Sequence, residues 1–257
     1  MLDALPIWAI IIGFAIVSLT CYELAFRAGR WWQARTPGEQ EGPTGVLVGS
    51  LLGLMAFLLA VTMGMAADRF DTRRGLVVEE ANAIGKAYLQ ADYLPEADAA
   101  EMKALLQEYL PLRVASDDME QVQASINRSL ELHAEMWAIA ARVAQSGHSP
   151  DLVSSFGESL TDVVSLNQTR IVSGLYARVP ETILLLLLVG SILSLGMVGF
   201  TAGVSGQRSV LSAVVLVIAL GATLTLVIDL DRPQEGFLQV SQRALRDVQV
   251  WMGSPPP

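Results

Sequence analysis

The side chains that do nucleophilic or metal chemistry are few in this 257-residue chain: two histidines, His133 and His148, and one cysteine, Cys21. One thiol and two separated imidazoles supply no zinc-type ligand set. No nucleophile, base and orienting group fall into a recognisable arrangement either. Neither enzyme chemistry nor a cofactor is therefore expected. His133 sits in a helical pattern and reads as a solvated residue, while His148 lies in the break SGHSP. Cys21 lies within an apolar run, allows no disulfide inside the chain, and reads as a small packing residue. The stretch GVLVGSLLG lacks the GK[ST] ending and the preceding strand of a phosphate loop. It reads instead as Gly45, Gly49 and Gly53 at four-residue spacing, a ridge that lets membrane helices approach closely.

Charges beside apolar runs are the second kind of chemistry. Asp229, in DLDRP, ends one such run, where an unpaired carboxylate is costly. Pairing of Asp229 or Asp231 with Arg170, Arg178 or Arg232 is expected. Glu79 and Glu80 lie a few turns beyond another run and read as a solvated face or as the lining of a vestibule. Steps of four place Phe57, Val61 and Met65 on one drifting helix face, turning about 40° per step. Taken alone, such a face looks toward lipid or core.

Long helices must position these residues. The chain is 52% hydrophobic and 17% charged, with positive mean hydropathy, a composition of membrane proteins. Stretches 5–24, 46–67, 182–200 and 210–228 are each long enough to span about 30 Å of hydrocarbon. A net charge of −9 argues against nucleic acid. The first stretch lacks a basic leader and is read as a retained span. Trp31 and Trp32, with Arg27, Arg30 and Arg35, suit a membrane interface. No Pro occurs between Pro43 and Pro95, so the second span should continue as one helix through Phe70, Val77, Ala81, Ile84 and Tyr88. Further helices should bury Met102, Leu105, Leu106 and Tyr109, then Met119, Val122, Ile126, Leu130, Trp137, Ala140 and Val143. A last one, through Phe156, Leu160, Val164 and Ile171, runs toward the third span and is interrupted near Pro180. The SPPP end reads as a frayed tail.

The expected architecture is an all-α membrane protein of four transmembrane helices. A helical water-facing domain is inserted between the second and third, with long helices continuous from membrane into domain. Residues 1–67 carry helices one and two, 68–178 the domain, 179–229 helices three and four, and 230–257 a tail. The arginine count favours a cytoplasmic domain with both termini inside, although three arginines in a short loop weigh against it.

The stretch LLGLMAFLLAVTMGMAADRFDTRR resembles the second transmembrane helix of bestrophins. A glycine-bearing apolar helix runs into Asp68, Arg69, Phe70, Asp71 and Arg73. VVEEANAIGKAYL and DLDRPQEGFLQVSQRAL resemble the uncharacterised bacterial bestrophin-like family over nearly the whole chain. The resemblance implies a homo-oligomer, a pentamer, that passes small monovalent ions through a bacterial inner membrane. Matching at Arg69 puts the neck at Gly53, Phe57 and Val61, with Met65 below and Gly53 as a wide first ring. Asp68, Glu79, Glu80 and Asn82 are then candidates for the vestibule. Arg69, Asp71, Arg73, Arg170, Arg178, Asp229, Asp231 and Arg232 are candidates for an ion-pair network at the membrane boundary. The partners would be lipid, copies of the same chain and inorganic ions, with no nucleic acid. The reading from another class is a non-conducting, membrane-anchored helical scaffold or sensor that binds a separate partner.

Overall fold

A computed structural model of the protein describes residues 6–36, 42–116, 118–175, 177–232 and 236–253. The stretch PGEQE after the first span and the SPPP terminus lie outside them. The described residues run as α1 (Ile7–Arg35), α2 (Gly42–Gln90), α3 (Glu96–Leu112), α4 (Met119–Gln145), α5 (Pro150–Leu175), α6 (Glu181–Ser205), α7 (Val210–Asp231) and α8 (Arg243–Trp251). No strand occurs among them. Helices α1, α2, α6 and α7 are long and apolar enough to cross a bilayer.

The expected continuous rod is α2, at 49 residues or about 74 Å. With no Pro in its interior, nothing removes a hydrogen-bond donor along it. The other junction is broken. Helix α5 ends at Leu175, and Pro180 stands at the N-cap of α6 with extended backbone, ψ 130°. Proline lacks the N–H that would continue a preceding turn.

The chain divides into two units. The first holds α1, α2 as far as Arg69, α6, α7 and residues 236–238. Phe14, Leu59, Leu187, Leu195, Val217 and Leu224 form its core. The tightest packing is between α1 and α6. A Cβ on Gly199 would land on the Tyr22 carbonyl, one on Gly203 on the Phe26 carbonyl, and one on Gly29 on the Phe200 carbonyl. Gly196 beside Cys21, Gly199 beside Tyr22 and Gly203 beside Phe26 rise together in number, so α1 and α6 run in the same direction, as the first and third of four consecutive spans must. Cys21 packs as expected, its Sγ 3.0 Å from where a Gly196 Cβ would stand.

The second unit holds α2 from Phe70, α3, α4, α5 and α8. Ile84, Met102, Leu106, Tyr109, Leu132, Met136, Phe156, Leu160 and Leu245 are fully buried there. Burying each such side chain is worth about 1.5–3 kcal/mol. The inner face of α4 differs from the expected one. Leu132, His133, Met136, Ile139, Ala140 and Val143 are buried, whereas Leu130 and Trp137 are exposed. One polar histidine within the buried stripe displaces the apparent apolar register by a few residues. The segment separated above as a tail supplies α8, whose Leu245 and Gln249 are buried, with Met252 just beyond them.

Candidate functional site

Helix α2 has two sides along its length. Met55, Leu59, Thr62 and Ala66 are buried in the first unit, and Leu76, Val77, Glu80, Ala81 and Ile84 in the second. The opposite side is uncovered. Phe57 is 64% exposed, Val61 47% and Met65 36%, values too high for core residues. Gly45, Gly49 and Gly53 are exposed as well, and a Cβ at any of the three would meet nothing within 4 Å. The ridge that α2 was expected to pack against a neighbour is therefore open within the chain. Glycines of α1 and α6 make that kind of contact instead.

Beyond Met65 the uncovered side becomes mixed, with Val78 and Leu89 exposed among polar residues. Asp68, Asp71, Glu79 and Asn82 are exposed, and Arg69 is partly buried. At about 100° per residue these positions stay on the same half of the helix as Phe57 and Val61.

Glu80 departs from this set. It lies about 100° round from Glu79 and is fully buried, so in this chain it does not line an open vestibule. Its carboxylate accepts from Arg113 Nε at 2.7 Å and from Arg170 Nη1. Arg170 also donates to the Arg113 carbonyl at 2.9 Å and, through Nη2, to Gln242 Oε1 at 2.8 Å. Arg170 thus belongs to a cluster inside the helical unit, not to Asp229 or Asp231. The correction has a simple cause: Glu80 is a buried carboxylate and must be matched locally. Arg73 is buried in the same unit and lines a cleft with Arg113 and Arg170.

The first unit keeps the two aspartates. Asp229 accepts from the backbone N–H of Phe237 at 2.8 Å and of Leu238 at 3.0 Å. A side chain at Gly236, with φ 149°, would strike the Asp229 carboxylate, so glycine is required there. Asp231 accepts from the Val179 N–H at 2.8 Å, next to Arg178, and Arg232 is buried. These carboxylates hold backbone in place at the end of α7.

His133 is buried with its ring tilted against Tyr109, centroids 5.1 Å apart, and not solvated as expected. Burial, reinforced by the Arg113 charge, lowers its pKa to about 4. Burial also holds the Tyr109 phenol protonated, well above its ordinary value. Arg113, Gln242 and Gly236 escaped the sequence reading because no local pattern marks a residue whose partner is far along the chain.

No curated protein matches the chain. Among solved structures, a bacterial bestrophin homolog from Klebsiella pneumoniae superposes with a TM-score of 0.71 at 14% identity, covering 96% of this chain and 100% of that one. A point variant of that homolog gives 0.66 at 11% identity, over 94% and 98%. These likenesses establish the fold. The model of the bestrophin-like domain matches residues 6–245. With four helices able to span a bilayer and one long helix shared by both units, the chain is a membrane protein that belongs to the bestrophin-like domain family.

Proposed function

We propose that the protein is an oligomeric ion channel of the bestrophin kind. In this reading α2 from several copies, five as the family resemblance implies, surrounds a common axis. Small monovalent ions pass along it without energy input, across a bacterial inner membrane, with the helical unit in the cytoplasm.

The carrying observation is the uncovered side of α2, on which Phe57, Val61 and Met65 are exposed together. Lipid contact alone would account for the apolar part. Beyond the apolar part, that side continues through Asp68, Asp71, Glu79 and Asn82, all exposed. Facing a water-filled axis accounts for both. Apolar rings at Phe57 and Val61 would gate by wetting and dewetting, while Gly53 would leave a wide entrance above them. Gly45 and Gly49, open in the single chain, would let neighbouring copies approach. Exposed acids at Asp68 and Glu79 favour cations.

Ion flux into vesicles containing purified protein, compared with Phe57→Ala and Val61→Ala proteins, tests the neck. Altered conductance or selectivity is expected. Wild-type flux in both variants contradicts the assignment. A monomer or dimer in detergent contradicts the shared axis and favours the scaffold reading.

A further inference from the structure

We propose that the cleft beside Glu80, Arg113 and Arg170 binds a small organic monoanion, a carboxylate carried on a short apolar body. The site lies wholly within the second unit and does not depend on whether the protein conducts.

The two guanidinium groups are unequally matched. Arg170 uses its terminal nitrogens on Glu80, the Arg113 carbonyl and Gln242. Arg113 uses only Nε, on Glu80. Its two terminal nitrogens donate to no acceptor among the described residues, although the side chain is just 7% exposed. A guanidinium that lines a cleft with terminal donors unspent favours an acceptor placed there. Glu80 is shared between two guanidinium groups, and Arg73 lines the same cleft, a setting that suits an anion.

The space beside Arg113 supplies the rest. The cleft holds about 120 Å³, room for roughly ten water-sized groups at about 10–15 Å³ each. Leu76, Val122, Ile126 and Ile171 form apolar wall. A bare inorganic anion would meet the charge and leave those walls wet, whereas a hydrocarbon would do the reverse. A carboxylate matches the fork of a guanidinium with two parallel hydrogen bonds, and a body of about six to eight carbons fills the remaining space.

The test uses the full-length protein in detergent, with binding heats and thermal unfolding measured for hexanoate, hexanol and acetate against detergent alone. Hexanoate is expected to bind and raise Tm. Hexanol, which lacks the charge, and acetate, which lacks the body, should bind about tenfold more weakly or worse. Arg113→Gln should cost hexanoate a similar factor. Val122→Trp fills the cleft without touching the charges, and should abolish binding while the unliganded protein keeps its Tm. If Arg113→Gln fails to fold, Val122→Trp decides. No hexanoate binding, equal binding of hexanol, or binding that survives Val122→Trp would overturn the proposal.

Discussion

Glu80 and Glu79 are neighbours of the same type with opposite fates, and the difference is energetic. Removing the Glu80 charge leaves two largely buried guanidinium groups without their shared carboxylate. Loss of one partner from a buried ion pair costs about 3–5 kcal/mol. Glu80→Gln should therefore lower unfolding stability by about that much, while Glu79→Gln at an exposed site should stay within about 0.5 kcal/mol. Chemical unfolding of the two variants measures the contrast. Sequence alone could not separate the pair, because the answer depends on which side of α2 meets α3 and α5. His133 gives a pH prediction. Its folded pKa, about 4, lies below the ordinary value of 6.5, so the unfolded chain binds the proton more readily. Stability from this group is present above pH 6.5 and is lost as pH falls toward 4, by about 3 kcal/mol at most. His133→Phe should lose less stability than wild type between pH 7 and pH 4. Equal losses would show that the buried imidazole does not contribute.

At the scale of elements, two glycine patterns compete in this chain. The one at Gly45, Gly49 and Gly53 is conspicuous in sequence, yet it faces open space. The one at Gly199 and Gly203 receives carbonyls of α1 so closely that a methyl group has no room. Gly199→Val should force α1 from α6 and destabilise by about 1–3 kcal/mol. Gly49→Val should leave the unfolding of a single chain nearly unchanged and act instead on assembly. Thermal unfolding with detergent-phase sizing separates these outcomes. The unbroken α2 was legible because no Pro interrupts it, and the break before α6 was legible at Pro180. The face of α4 was not, because Leu130 and Trp137 suggested a stripe that the fold leaves in solvent. An apolar side chain on a helix surface is common, and only the neighbouring helices decide which stripe they cover.

Across the whole molecule, composition and four apolar runs were enough to anticipate an all-helical membrane protein, and the fold agrees. Return of the chain through α8 into the second unit was not anticipated, since nine residues give too short a pattern to place. In the proposed channel the side of α2 bearing Phe57 looks onto a conducting path, whereas exposed Leu193 on α6 looks onto lipid. A thiol-directed blocker tests this in vesicles. With Cys21→Ser removing the native thiol, Phe57→Cys and Leu193→Cys proteins are treated with a charged methanethiosulfonate while ion flux is followed. Modification is expected to stop flux through Phe57→Cys and to leave Leu193→Cys unchanged. Equal sensitivity of the two, or unaltered flux after confirmed modification at position 57, would contradict the proposed channel.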